Sequence, residues 1–179
     1  VARLHPDPQP RLCHALAEAY LQGARETGHQ TRLIRLADAQ FPLLRSAAEF
    51  SSPPEAPAIK TAREDMAWAQ HMVFVFPLWL GAAPALLSGF LEQAARAEFF
   101  ADMAAVPKAR LRGKSARLIV TMSMPAMVYR LALGAFGVRA IARGVLGSSG
   151  MRPVRQTLFG AVEAPERSSS GRRRMSPGT

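Results

Sequence analysis

The chain holds a single cysteine, Cys13, so no disulfide can form within it. Its four histidines and that cysteine are scattered without the close spacing of a zinc site, and no metal is expected. Aromatic residues make up only 7%. They are not interleaved with the basic residues, as a surface that stacks nucleic-acid bases would need. Acids are scarce, 13 against 23 Lys and Arg, which gives a net charge of +10. The start shows no positively charged stretch followed by an apolar core, so a cytoplasmic protein is expected. What is present is globular in character: 179 residues, 49% hydrophobic, 20% charged, with a mean hydropathy of +0.01. At roughly 150 residues per domain this is one domain, large enough to bury a core without covalent staples.

The charge is localised. Lys108, Arg110, Arg112, Lys114 and Arg117 fall within ten residues that contain no acid. The tail from Ala164 adds Arg167, Arg172, Arg173 and Arg174 against Glu166 alone. The rest is nearly neutral, so the basic run reads as a solvated connection, and neither nucleic acid nor a membrane is the expected partner. Residues 1–163 form the expected domain. Residues 164–179, a Ser/Gly/Arg string without apolar periodicity, form an expected disordered tail.

One long apolar stretch needs a decision. Residues 66–91 contain no Asp, Glu, Lys or Arg. Twenty such residues are long enough to cross a bilayer. Pro77 and Pro84 break that helix, because each removes an N–H and clashes with the preceding turn. The stretch is instead a buried strand at 72–76, a turn at 77–83 and a helix from Pro84 to about residue 99. Elsewhere, apolar residues at spacings of three and four mark helices from Pro10 to about Arg25, over 59–70 and over 126–145. Strands are read at 1–4, 31–36, 118–122 and 156–162, and 37–57 as a long surface loop. Strands alternating with helices imply parallel pairing and a doubly wound three-layer sandwich. The order 2-1-3-4-5 is a common five-strand solution, with ligands outside the carboxyl ends of the strands.

That rule directs attention to three loops. The first, at 5–13, has neither a G-x-G-x-x-G nor a P-loop pattern, but it offers His5, Gln9, Arg11 and free N–H groups near Leu12 and Cys13 at a helix start, a setting that suits phosphate. The second contains Pro77, Leu78, Trp79, Leu80 and Gly81, an apolar loop that must pack on something flat. The third is Thr121-Met122-Ser123-Met124-Pro125, with Tyr129 one turn into the next helix. Two methionines beside a hydroxyl pair suit a planar aromatic ligand.

On these residues the chain resembles the flavodoxin-like NAD(P)H:quinone oxidoreductase family of the DT-diaphorase and modulator of drug activity B type. His5-Pro6 before Leu12-Cys13-His14-Ala15-Leu16 resembles the family's first loop. Phe76-Pro77-Leu78-Trp79 followed by Pro84-Ala85-Leu86-Leu87 resembles its second, and residues 121–129 its third. The resemblance implies a flavodoxin-like sandwich of order 2-1-3-4-5, a bound FMN or FAD, NAD(P)H as electron donor, a quinone or similar acceptor, two-electron ping-pong hydride transfer, and a homodimer. It implies that His5, Arg11, Leu12 and Cys13 surround the flavin phosphate. Pro77, Leu78, Trp79 and Leu80 would face the isoalloxazine edge, with Thr121, Met122, Ser123 and Met124 on its other side. Tyr129 would stand at the nicotinamide or quinone site as the catalytic candidate. Arg11 and Cys13 depart from the serine and asparagine frequent in the family, and Ala135 stands where a Tyr–His relay would need histidine. Family members begin with a full apolar strand before His-Pro, so the first strand is expected to be truncated here. The alternative is a non-catalytic, flavodoxin-like regulatory subunit of a membrane transport system, with residues 77–83 used for protein contact. A third reading, a basic binder of nucleic acid or anionic surfaces, would use residues 108–117 and the tail.

Overall fold

A parallel strand buried on both faces must be apolar, and residues 72–76 and 118–120 meet that condition. They become β3 (His71–Pro77) and β4 (Ser115–Thr121), the centre of the sheet. The computed structural model describes residues 1–52, 56–95 and 111–162. In chain order the remaining elements are β1 (Ala2–Arg3), α1 (Leu12–Glu26), β2 (Ile34–Arg35), α2 (Ala47–Ser51), α3 (Pro57–Trp68), α4 (Ala85–Ala94), α5 (Ala126–Leu131), α6 (Phe136–Arg139) and β5 (Val154–Phe159). A 3₁₀ turn (Leu36–Asp38) follows β2, and α6 runs on into a wider π-type helix (Ala140–Gly147). All neighbouring strands are parallel, in the order β2-β1-β3-β4-β5. This is the flavodoxin-like order expected from the sequence.

Alternation along β3 and β4 divides the core in two. Val73, Val75 and Ile119 point to the face covered by α1, where they pack with Cys13 and Ala17. Phe74, Phe76, Leu118 and Val120 point to the other face and join Ile59, Met66, Leu87, Phe90, Tyr129 and Leu146 in the larger cluster. The first strand is short. Ala2 and Arg3 pair with Ile34 and Arg35 on one side and with Phe74 and Val75 on the other. The expected strand at 31–36 is correspondingly cut to two residues, because a strand extends only as far as its partner's ladder. Leu4 still donates its N–H to Val75 O (2.8 Å), so the chain leaves the sheet directly above β3.

The structure differs from the sequence reading in three further places. The loop expected over 37–57 contains α2, whose N-cap Ser46 accepts the Glu49 N–H (3.1 Å) while the Glu49 carboxylate accepts the Arg45 N–H (2.7 Å). That S-x-x-E pattern is a helix-start signature. The same loop lays Phe41 edge-on to Phe90 and Leu43 over Gly89, where an added Cβ would meet the leucine at 2.5 Å. The expected helix over 126–145 breaks at Gly134 and Ala135, both in the left-handed region (φ +57° and +51°). The basic connection is partly built into the fold. Lys114 Nζ donates to the last carbonyls of α3, at Ala67 and at Ala69 (2.7 Å), and Arg117 donates to Thr157 Oγ1 (3.1 Å). A cation at a helix C-terminus satisfies carbonyls that have no partner in the helix. Residues 108–110 and the basic tail lie outside the described residues.

Candidate functional site

The three loops meet above the carboxyl ends of β1, β3 and β4, and named bonds tie them together. Leu78 N–H donates to Thr121 O (2.7 Å), which joins the second loop to β4. Cys13 Sγ lies 3.1 Å from Thr121 Oγ1, joining the start of α1 to the same strand. The His5 and Trp79 rings meet edge to face with centroids 6.1 Å apart, joining the first loop to the second. Tyr129 Oη donates to Gly81 O (3.0 Å), joining α5 to the second loop.

The first loop turns through its own side chains. His5 is buried and its Nδ1 accepts the Asp7 N–H (3.0 Å). Asp7 Oδ1 accepts the Gln9 N–H (2.9 Å), and Asp7 Oδ2 takes both Nε and Nη2 of Arg11 (3.1 and 2.8 Å). The Arg11 N–H in turn donates to His14 Nδ1 (3.0 Å). These contacts shape the entry to α1, a fifteen-residue helix with no acid in its first turn. Among the described residues the N–H groups of Leu12 and Cys13 have no carbonyl partner. A helix start of this kind favours a phosphate by exposed donors and by the helix dipole. Asp7 is held below the usual carboxylate range by the Gln9 N–H and then by Arg11. Burial lowers the pKa of both histidines, and for His5 the neighbouring His14 lowers it further. Burial raises the Cys13 thiol, and the Thr121 contact opposes this.

The second loop is a tight turn. Trp79 and Ala82 exchange N–H···O bonds of 2.9 Å in both directions. Leu80 and Gly81 sit between them at φ +49° and +79°, the paired positive angles such a turn needs. Glycine takes that conformation freely, whereas leucine is strained in it. Leu80 is fully exposed, and Trp79 about half. The turn leans on α6: a Cβ on Gly137 would lie 2.4 Å from Gly81 O. The third loop buries Thr121 and Met122 and exposes Ser123. Met122 N–H donates to Phe159 O (2.8 Å), and Met124 O accepts the Ala161 N–H (3.2 Å). Among the described residues the N–H groups of Ser123 and Met124 have no carbonyl partner. Gly160 allows this crossing, since a Cβ there would meet Ala126 N at 2.3 Å.

Each residue singled out in the sequence can now be placed. The backbones of Leu12, Cys13, Ser123 and Met124 offer donors at the common mouth. His5 and Trp79 stand between the first two loops. Arg11 is spent on Asp7. Cys13 and Met122 point their side chains into the core, and Pro77, Leu78 and Thr121 anchor the sheet edge. Tyr129 is fully buried: its hydroxyl donates to Gly81 O and accepts the Val138 N–H (3.3 Å). Sequence reasoning did not single out Asp7, His14, Gly137 or Gly160 as contributors. Their signals, an Asx turn two residues after the histidine and glycines flanking the third loop, are common in any loop.

Comparison with known proteins decides the family. The family model described as a flavodoxin-like fold matches residues 3–175. The chain belongs to this flavodoxin-like family. No curated protein matches the sequence. Among solved structures, the NAD(P)H:quinone oxidoreductase from Methanothermobacter marburgensis is similar over 92% of this chain and 84% of its own, with a TM-score of 0.75 and 19% identity. An FMN-dependent NADH-azoreductase from Bacillus anthracis, solved in complex with FMN, is similar over 89% and 85%, with a TM-score of 0.70 and 12% identity. At these identities the likeness shows the fold. In the flavodoxin-like family member described here, the three tied loops occupy the edge where open α/β sheets bind ligands. A cavity of about 900 Å³ opens at the opposite edge, beside Val1, Tyr20, Trp68 and His71. It contains none of the site residues.

Proposed function

We propose that the chain is a flavin-dependent NAD(P)H:quinone oxidoreductase working by two-electron, ping-pong hydride transfer. The observation that carries this reading is the set of backbone donors without carbonyl partners on two loops tied to one another: Leu12 and Cys13 on one side, Ser123 and Met124 on the other. That set fits a flavin, whose phosphate and ring are both read by N–H groups. The similar structures from M. marburgensis and B. anthracis, one a quinone oxidoreductase and the other FMN-dependent, support it. The second supports FMN over FAD. The bound flavin would pass two electrons from NAD(P)H to the acceptor, NAD(P)H plus a proton plus quinone giving NAD(P)⁺ plus hydroquinone.

The chain's own residues bind and orient. Leu12 and Cys13 N–H would hold the phosphate, with the His5 ring closing that end. Ser123 and Met124 N–H would stabilise negative charge at the ring edge through preorganised dipoles. Trp79, about half exposed, would offer its indole face to the flavin ring. We assign Tyr129 to positioning, because both functions of its hydroxyl are committed within the protein. It fixes Gly81 and so the shape of the second loop. No side chain is assigned as an obligatory acid or base.

A second copy of the chain is the proposed partner. Leu80, Met127, Val128, Leu131 and Phe136 are exposed on the second loop, α5 and the start of α6, with Phe136 packed close to Gly81. An apolar rim of this kind around a site is costly to leave in water. The regulatory-subunit reading would use the same surface for a membrane partner. Purified protein decides between them. The expected result is a yellow protein with flavin absorbance that oxidises NAD(P)H with menadione. Flavin retained without turnover, together with co-purification of a membrane partner, favours the regulatory reading. A colourless protein that stays inactive with added FMN and FAD overturns the oxidoreductase reading.

A further inference from the structure

We propose, resting on the flavin reading above, that His5 and His14 are paired positioning residues that hold the first loop in its phosphate-binding shape only while both are neutral. The geometry is specific. His5 Nδ1 accepts the Asp7 N–H and His14 Nδ1 accepts the Arg11 N–H, each at 3.0 Å. An imidazole whose Nδ1 accepts is neutral and carries its proton on Nε2. Protonation would set an Nδ1–H against a backbone N–H, donor against donor, and both turns would have to open. The first turn places Asp7 to hold Arg11 away from the helix start. The second fixes the residue preceding the free N–H groups of Leu12 and Cys13.

The two rings also constrain each other. Both are about 7% exposed, and their centroids lie 5.3 Å apart at 41°. Two imidazolium ions at that distance repel. The charged groups that face them are Arg3 from β1, Asp7 within the loop and Arg11 at the N-cap, with Glu18 of α1 drawn to Arg3 at 3.8 Å. Trp79 from the second loop adds only a ring edge. Two cations against one carboxylate already paired to Arg11 leave little to stabilise a charged ring, in line with the direction in which both histidines are moved. His14 Nε2 is buried with no protein partner. It is a neutral N–H donor beside the phosphate-binding turn.

A common role for histidine at a phosphate is that of a cation, and the two roles predict opposite pH dependence. A cationic contact tightens flavin binding on acidification. The neutral pair loosens it. Flavin affinity would be measured by fluorescence quenching from pH 7.5 to 5.5, with FAD as the main probe because its pyrophosphate does not titrate there. FMN serves as the second probe. Wild type is expected to weaken by about threefold more than His14→Asn over this range, less than the about tenfold that an imidazole with the usual pKa would give. The asparagine oxygen accepts the Arg11 N–H at every pH and so restores the cap without the titration. His14→Ala is expected to be weak throughout. Equal slopes for wild type and His14→Asn, or affinity that rises on acidification, would overturn the proposal. Ring nitrogen shifts of the flavin-free protein decide the tautomers separately. Nδ1–H on either ring overturns the proposal whatever flavin does. Absence of flavin binding at all pH values with both rings as Nε2–H overturns the flavin reading and with it the link to phosphate.

Discussion

At the scale of single residues, the chemistry of this site is written mostly in the backbone, and the side chains act through it. Tyr129 is the sharpest case. From sequence it stood one turn beyond the third loop and resembled a residue at an acceptor site. In the structure its ring has no exposed surface, and its hydroxyl is both donor to Gly81 O and acceptor from Val138 N. Tyr129→Phe removes both bonds and leaves a buried carbonyl and N–H without partners. It is expected to lower stability by about 1–3 kcal/mol in denaturant unfolding. Turnover would fall through a loosened second loop, so KM for both substrates would move together with kcat. An unchanged unfolding midpoint with turnover abolished would return Tyr129 to the acceptor site. Cys13 gives a second test. Its thiol is buried against Thr121, and burial pushes its pKa up, so little thiolate forms near neutral pH. A thiol-alkylating reagent at pH 7.5 is expected to leave the folded protein unlabelled and to label it fully in denaturant. Rapid labelling of the native protein would mean that α1 does not sit on β4 as described.

At the scale of elements, what was legible depended on whether the pattern was local. The strands β3 and β4 announced themselves as continuous apolar runs, and α1 and α3 as periodic ones, because burial on both faces or on one stripe leaves a mark in adjacent residues. The site loops followed from the topology. The break between α5 and α6 left no such mark. Gly134 is a poor helix former in any sequence, but the left-handed backbone of Ala135, held between Tyr129 and a Val138 whose N–H bonds the tyrosine hydroxyl, leaves no local signal. The helix α2 was legible in principle, through Ser46 and Glu49, and was hidden by the prolines and serines around it. The second loop shows the same limit. The sequence Trp79-Leu80-Gly81-Ala82 carries one of the two glycines that its turn prefers, and Leu80 takes the other left-handed position at φ +49° with its side chain in solvent. Backbone strain at an exposed leucine suggests a use for that side chain. Leu80→Gly relieves the strain and sacrifices no packing within the chain. It is expected to raise the unfolding free energy of the isolated chain by up to about 1 kcal/mol, net of the added entropy of glycine. A measured loss of stability would mean that Leu80 is packed against something in solution.

At the scale of the whole molecule, that last outcome connects to the surface around the site. The net charge of +10 reads as a clue to partners until it is located. Lys114 and Arg117 then serve the fold, and Lys108, Arg110 and the four arginines of the tail lie outside the described residues. The more informative surface is apolar. Met127, Val128 and Leu131 lie on one short helix, α5, and Phe136 and Leu80 flank it at the mouth of the site. These side chains contribute little to their own core, and among the described residues nothing covers them. A second copy docked there would bury them and wall the site at once, and would give the strained Leu80 an apolar partner. Leu131→Lys puts a charge into that surface and leaves the core untouched, since Leu131 is 79% exposed. Sedimentation is expected to show wild type as a dimer and Leu131→Lys shifted toward monomer, with the unfolding midpoint of the monomer unchanged. If the dimer also completes the acceptor side, the variant would keep flavin and lose most quinone turnover, because the donors of Leu12, Cys13, Ser123 and Met124 all come from one chain. Wild type sedimenting as a monomer at working concentrations would leave the apolar rim for a different protein, and the regulatory-subunit reading would then account for it better.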